Sequence, residues 1–289
     1  MRLRTALFGV LLFLQSALVL TGGAVRLTGS GLGCPTWPEC TPGSYTPVPY
    51  QAEGQLHAWI EFGNRLLTFA LLFSALAAVI YVLKSGRKDL RSLAAGQVLG
   101  IVGQGVLGGI TVLTDLHPLP VAGHLLLSMF LIAGATSLYT GRHEPHVKVS
   151  APTKTVSLLS QTHIVISFIV LILGTIVTGS GPHAGDEKAQ RFGFDIRSVA
   201  ILHADAVIFL MGLTIALLVA ASVTHSTKKA IYIFFGVSLA QGGVGYAQYL
   251  TGIPELLVAI HLAGATIFWM AAWRIRLSIV RTSQKERDQ

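Results

Sequence analysis

Long apolar runs separated by short polar segments dominate the chain. A helix needs about 20 mainly apolar residues to cross the hydrocarbon core of a bilayer. Eight runs qualify, at residues 6–25, 59–83, 93–113, 120–140, 157–179, 199–222, 229–250 and 256–280. Backbone groups in lipid must hydrogen-bond internally, and these runs are too long and continuous for barrel strands. The pattern therefore predicts an all-α polytopic membrane protein with eight transmembrane helices.

One stretch of this pattern occurs twice. QGVLGGITVLTDLHPLPVAGHL, which begins at Gln104, recurs as QGGVGYAQYLTGIPELLVAIHL from Gln241, at an offset of 137 residues. The offset places His124 and His261 in register near the start of the following apolar run. Self-similarity at a fixed offset indicates a duplicated structural unit. We therefore expect two pseudo-symmetric four-helix bundles.

The placement of charge gives an expected orientation for the two halves, which we assign to residues 1–145 and 146–289. Only 12% of the residues are charged, against about 25% in soluble domains. With the N-terminus inside, sixteen Lys and Arg residues fall at the inner segments and four at the outer segments. This asymmetry fits the positive-inside rule. Both termini are therefore expected in the cytoplasm, and the net charge of +8 indicates topology rather than nucleic-acid binding.

The only two cysteines, Cys34 and Cys40, lie in the loop between the first two spans. In this topology the loop is on the outer, oxidising side, and its many Gly and Pro residues disfavour regular structure. Two thiols this close in an oxidising compartment, with no nearby His, favour a disulfide over a metal site. Such a bond either holds the loop together or has a redox function, and the residues leave both open.

Ionisable side chains within the spans are the candidate functional residues, because such groups are rare in lipid and usually mark function. Glu61 and Arg65 lie in the second span, and single histidines lie in the fourth, sixth and eighth spans, at His124, His203 and His261. Even-numbered spans enter from the outside in this topology. All five residues are therefore expected at one depth, in the outer half of the bilayer.

His203 and His261 form a depth-matched pair in the second half. Neutral imidazole is the commonest side-chain ligand of metals, and helical bundles build cofactor sites from facing helices. Small residues on both sides of each histidine would leave room for a flat macrocycle. We expect the pair to provide the two axial ligands of a haem. The alternative is that each ring hydrogen-bonds a neighbouring carbonyl or hydroxyl group.

In the first half, Asn64 stands where the repeat places a partner for His124. From Asn64 to Gln104 is 40 residues, and from His203 to Gln241 is 38. Asn is a poor ligand for iron, so we expect one axial histidine and an open coordination position at this site. Such a site suits a substrate haem better than an electron-transfer haem.

His57, Glu61 and Asn64 lie on one face of the second helix, since they are spaced i, i+4 and i+7. His57 is therefore an alternative second ligand for the first site. Glu61 is costly to bury in its charged form, which suits a proton acceptor or a base that activates water. Arg65 either neutralises Glu61 as an i,i+4 pair or binds a haem propionate.

The motifs GSGLGCPTWPEC, IEFGNR and TGSGPHAGD, with the repeated His-Leu helix starts, resemble those of the heme A synthase family over nearly the whole chain. The resemblance implies oxidation of a methyl group of haem O to the formyl group of haem A, for terminal oxidases. Two successive hydroxylations of that methyl group, followed by loss of water, would leave the aldehyde. The implied location is the plasma membrane of a prokaryote.

The resemblance also implies roles for individual residues. His203 and His261 match the ligands of a haem b cofactor, and His124 matches a ligand of the substrate haem. Glu61 matches the acidic residue considered catalytic, and the two loop cysteines match a disulfide. Asn64 departs from the family pattern Glu-x-x-His-Arg, in which many members have a histidine at this place, so bis-histidine ligation of the substrate haem is not expected.

Two other classes of function compete with this interpretation. Parallel repeats also build transporters, but the polar groups cluster at one depth and no pair of broken helices is evident. A cytochrome b that oxidises quinol needs only the second site. The expected partners are haem O and membrane lipid. Further candidates are the enzyme that forms haem O, an electron acceptor and a second copy of the chain.

Overall fold

The computed structural model describes residues 2–141, 153–187, 189–220 and 225–287, with side chains described for those between 3 and 279. The predicted boundary between the halves, after residue 145, lies outside the described residues. The described chain is almost entirely helical. The helices are α1 (Arg2–Leu27), α2 (Gln55–Lys84), α3 (Arg91–Leu113), α4 (Pro118–Gly141), α5 (Lys154–Ser180), α6 (Ile196–Val219), α7 (His225–Leu250) and α8 (Glu255–Arg287).

All eight helices are long and apolar enough to cross a membrane, and they confirm the eight predicted spans. Most extend beyond the predicted apolar runs at one or both ends, because the helical backbone continues into polar residues. α2, for example, begins at Gln55 rather than at residue 59. A single 3₁₀ turn, Lys88–Leu90, leads into α3.

The turn from α3 to α4 and the turn from α7 to α8 have the same backbone geometry. Leu116 and Ile253, at the repeat offset, both adopt a left-handed conformation, with φ of 58° and 61°. The Leu116 N–H donates to the carbonyl of Thr111 at 2.9 Å, and the Ile253 N–H donates to that of Gln248 at 2.8 Å. The sequence repeat is therefore also a repeat of conformation.

The chain forms two compact units. Unit 1 comprises Met1–Arg142 and Thr175–Ile196, and unit 2 comprises His143–Gly174 and Arg197–Gln289. Within unit 1, α1 packs on α2 and α4, and α3 packs on the same two helices, which closes a four-helix ring. Within unit 2, α7 packs on α8. The last turn of α5 and the loop that follows it belong to unit 1.

The apolar core of unit 1 lies towards the end of the bundle opposite the cysteine loop. Its members include Phe8, Leu11, Leu71, Ala75, Ala78, Val82, Ala94, Ile101, Ala135 and Leu138. A buried polar chain crosses the unit next to this core: Gln15 Nε2 donates to Gln97 Oε1 at 2.9 Å, and Gln97 Nε2 donates to the carbonyl of Leu131 at 3.0 Å. Each of these bonds joins two helices, and polar groups in lipid need such partners.

The corresponding place in unit 2 is built differently. Phe234, at the repeat offset from Gln97, packs edge-on against His163 with ring centres 4.7 Å apart. His163 is fully buried, and its Nε2 lies 3.2 Å from the Thr214 hydroxyl. His163 therefore joins α5 to α6 and α7 and has a structural explanation independent of the candidate site.

Candidate functional site

His203 and His261 face each other in unit 2, each within the first few turns of its helix. Their ring centres are 6.5 Å apart and their planes are inclined by 74°. A ligating imidazole nitrogen stands about 2.0 Å from its metal and about 1.1 Å from its own ring centre, so imidazoles on opposite sides of one metal ion are about 6.2 Å apart. The observed separation fits an iron held between the two rings.

Each ring of this pair lies against a glycine of the neighbouring odd-numbered helix. A β-carbon built on Gly174 of α5 would stand 3.4 Å from Cε1 of His203, and one built on Gly245 of α7 would stand 3.5 Å from Cε1 of His261. The glycines thus let each imidazole approach a helix backbone closely. The carbonyl of Val170 is near enough to interact with His203.

The Nδ1 atoms of both rings are buried and make no hydrogen bond of normal geometry. Both residues are only partly buried. Buried polar atoms are nearly always satisfied in native proteins. Nδ1 of His261 is such an exception, whereas the His203 ring lies within reach of the Val170 carbonyl, so hydrogen bonding to a neighbour remains the alternative for His203.

His124 of unit 1 lies against a glycine, as His261 does. A β-carbon built on Gly108 would stand 3.3 Å from Cε1 of His124, and Nδ1 of His124 is likewise buried and unpaired. One turn earlier on α3, Gln104 Nε2 donates to the carbonyl of His124 at 3.1 Å and to the Ser128 hydroxyl at 2.6 Å. Gln104 and Gly108 therefore fix the backbone and the ring of the same histidine.

Asn64 lies on α2 against Gly22 of α1, so it repeats the arrangement of His203 against Gly174. A β-carbon built on Gly22 would stand 4.0 Å from Asn64 Nδ2. The Thr21 hydroxyl donates to Asn64 Oδ1 at 2.7 Å. Among the described residues, no second imidazole stands beside His124 in the way that His203 and His261 stand together.

His57, the alternative ligand, is held at the start of α2. Its Nδ1 lies 3.0 Å from the carbonyl of Gly29 in the cysteine loop. The backbone of His57 also packs so closely on Gly33 that a β-carbon there would overlap the His57 carbonyl. These contacts tie His57 to the loop and leave its use as an iron ligand a prediction.

The cysteine loop is anchored to α2 through Glu61. The Cys34 and Cys40 sulfurs are bonded to each other in the structure, and both residues are fully buried. Glu61 is buried as well, and its Oε2 accepts the N–H of Cys34 at 2.7 Å. Its Oε1 accepts from Arg65, at 3.1 Å from Nε and 2.6 Å from Nη2. Both carboxylate oxygens therefore already have partners.

Arg65 completes this anchor. It donates to the carbonyls of Cys34 at 2.9 Å, Thr36 at 3.2 Å and Glu39 at 3.2 Å. Its donors are thus directed at the loop backbone and at Glu61. The spacing predicted the i,i+4 pair correctly but not the loop contacts, and binding of a haem propionate by Arg65 stays a prediction.

The loop also covers one face of α3. The indole of Trp37 packs on Gly109 so closely that a β-carbon at Gly109 would lie 2.6 Å from it. Gly109 follows Gly108, the glycine that faces His124. The loop therefore rests on the helix turn that helps to position the histidine of unit 1.

The fold defines the class, an all-α polytopic membrane protein, and its second unit carries two facing histidine rings. Comparison with known proteins is more specific. Residues 5–185 match the COX15-CtaA model, which describes a cytochrome oxidase assembly protein. The chain belongs to this COX15-CtaA family.

Its relatives include heme A synthases from several bacteria. Identity to the Sinorhizobium fredii protein is 24% over 323 residues, covering 92% of this chain and 87% of that protein. Identity to the Shewanella oneidensis protein is 25% over 312 residues, covering 91% and 92%. A Geobacillus kaustophilus protein is 30% identical over 88 residues, covering 30% and 26%. The similarity to full-length relatives thus spans nearly the whole chain.

Proposed function

We propose that this protein is a heme A synthase that oxidises the methyl group of haem O to the formyl group of haem A. The observation that carries the proposal is the His203–His261 pair, 6.5 Å apart, in a chain of the COX15-CtaA family. Relatives named heme A synthase that align over more than nine-tenths of the chain support the same reaction.

His203 and His261 would hold the cofactor, haem b, which supplies one-electron redox chemistry. The chain itself supplies the orientation: Gly174 and Gly245 set the distance of each ring from the neighbouring helix. Nε2 of each ring is the atom that would bind the iron, since Nδ1 of each ring is buried.

His124 would hold the substrate haem. Gln104 fixes the His124 backbone and Gly108 limits the position of its ring. With Asn64 in the place of a second histidine, His124 would be the one histidine ligand that this pair of positions supplies to the substrate haem.

Glu61 is the proposed proton acceptor at the substrate site, three residues before Asn64. Its two oxygens face Arg65 and the N–H of Cys34. A proton that arrives on Glu61 must therefore weaken one of these bonds. Proton transfer at Glu61 would in this way be coupled to the anchoring of the disulfide loop.

The proposed setting is the plasma membrane of a prokaryote with both termini in the cytoplasm, as the distribution of Lys and Arg predicts. An electron acceptor and the enzyme that forms haem O are the proposed partners, and self-association is a further proposal.

A reduced-minus-oxidised absorption spectrum of the purified protein, with chromatography of the extracted haems, tests the function. We expect haem b together with haem O or haem A, and loss of the haem b signal in His203→Ala. His163→Gln is the matched control, because His163 is a buried histidine of the same unit bonded to Thr214 rather than directed at the pair. Haem b without any conversion of haem O would instead indicate the quinol-oxidising cytochrome, and absence of haem would refute both.

A further inference from the structure

Thr21 and Asn64 form an interhelical pair whose chemistry is not used in the function described above. The Thr21 hydroxyl has a single proton. Its 2.7 Å bond to Asn64 Oδ1 is much shorter than its 3.3 Å approach to the carbonyl of Leu18. This bond holds Oδ1 of the amide towards Thr21, with both N–H groups of Nδ2 on the other side.

The Nδ2 group of Asn64 has no acceptor among the described residues. An amide N–H in a membrane-spanning helix needs a partner, because lipid offers none. Gly22 adds to this arrangement by keeping the space beside Nδ2 free of a side chain. The unsatisfied donors and the free space together indicate that Asn64 is arranged for a ligand from outside the polypeptide.

The repeat indicates which ligand. Three histidines each lie against a glycine on the preceding odd-numbered helix, and Asn64 against Gly22 is the fourth example of this arrangement. In unit 2 the two such residues, His203 and His261, stand 6.5 Å apart. The corresponding residues of unit 1 are Asn64 and His124. Asn64 thus occupies in unit 1 the place that His203 occupies in unit 2.

We propose that Asn64, oriented by Thr21, donates a hydrogen bond from Nδ2 to a small ligand at the open axial position of the haem held by His124. This inference rests on the proposed function, since it requires a haem in unit 1. An amide side chain is too short and too weakly basic to replace imidazole as an iron ligand, but it is a good donor to an oxygen or nitrogen atom bound there. The polarity and the hydrogen-bond donors on the open side of a haem decide what binds there.

The alternative is that Thr21 and Asn64 only join α1 to α2, as polar residues often do between membrane helices. A purely structural pair would affect thermal stability but not the spectroscopy of a ligand on the iron. Thr68 provides a matched control. It lies one turn from Asn64 on the same helix, and its hydroxyl approaches only the backbone carbonyl of Asn64, at 3.5 Å.

The test uses the full chain loaded with haem O, with carbon monoxide and cyanide as probes. The signal of unit 1 is identified as the part lost in His124→Ala. We expect Asn64→Leu and Thr21→Val to shift the carbon monoxide stretching band and to weaken cyanide binding about five- to tenfold, the usual effect of losing one hydrogen bond. Thr68→Val should leave both readouts unchanged.

A second variant tests whether residue 64 faces the iron, and it does not depend on the loss of the Asn64 hydrogen bond. Asn64→His should convert the unit 1 haem to a six-coordinate, low-spin form and suppress its reaction with carbon monoxide. Unchanged bands and affinities in Asn64→Leu and Thr21→Val, or a high-spin haem in Asn64→His, would overturn the inference while leaving the proposed function intact. Absence of any haem signal that depends on His124 would refute the proposed substrate site itself.

Discussion

Replacing Arg65 by Met should release the disulfide loop from α2. Arg65 donates two hydrogen bonds to Glu61 and three to loop carbonyls, and its side chain is 21% exposed against 7% for Glu61. Removing one partner of a buried ion pair costs about 3–5 kcal/mol. The partial exposure of Arg65 places the expected cost near the lower end, at about 3 kcal/mol. Since 1.4 kcal/mol is a factor of ten, the loop should detach roughly a hundred times more often.

The rate at which a water-soluble phosphine reduces the Cys34–Cys40 bond measures this detachment, because both sulfurs are buried while the loop is docked. Reduction should be about a hundredfold faster in Arg65→Met. Arg65→Lys should be intermediate, since an ammonium group cannot reach the spread acceptors of a guanidinium. Arg87→Met is the control, because Arg87 pairs with the exposed Asp89. Equal reduction rates in Arg65→Met and the unaltered protein would refute the assignment of Arg65 as the loop anchor.

Glu61→Gln separates the two roles of the carboxylate. The amide keeps the shape of the side chain and an acceptor for the Cys34 N–H, but it cannot take up a proton. We expect haem A formation to fall strongly while reduction of the disulfide speeds up by less than in Arg65→Met. Full haem A production by Glu61→Gln would exclude the catalytic role and leave Glu61 as an anchor only.

Two further substitutions test the packing described above. Gly108→Ala places a β-carbon 3.3 Å from Cε1 of His124 and should change the absorption spectrum of the proposed unit 1 haem. Gly105→Ala is the control, because a β-carbon at Gly105 has nothing within 4 Å. Identical spectra of the two variants would contradict a positioning role for Gly108. Gln97→Leu leaves the buried amide of Gln15 without its acceptor and should destabilise the protein by about 1–3 kcal/mol in thermal unfolding. Gln15→Leu combined with Gln97→Leu should recover part of that loss, and no recovery would contradict the explanation.

Hydropathy predicted the eight membrane-spanning helices correctly. A membrane helix satisfies its own backbone, so an apolar run of sufficient length specifies the element without knowledge of its neighbours. The repeat likewise predicted that His124 and His261 would stand in register near the start of their helices, and Gly108 and Gly245 lie beside them at the same offset.

The contacts of the cysteine loop were beyond prediction. Arg65 binds backbone carbonyls of Cys34, Thr36 and Glu39. Every residue type has the same backbone carbonyl, so the sequence does not mark these three as acceptors. The position of these acceptors depends on the path of an irregular loop rather than on side-chain identity. The role of Thr21 was not predicted either, because a threonine in an apolar helix commonly hydrogen-bonds the backbone of its own helix.

A glycine lies beside each of the four equivalent residues, His124, His203, His261 and Asn64. This packing affects how the two halves could diverge. A histidine that interlocks with large side chains cannot be exchanged without repacking its neighbours. Here each ring lies against a glycine, and the smaller Asn64 lies against Gly22. Metal coordination can therefore change in one half while the helices of that half stay in place. In a duplicated bundle of this kind, exchange of one residue beside a glycine is enough to give the two halves different chemical groups at an equivalent position without moving a helix.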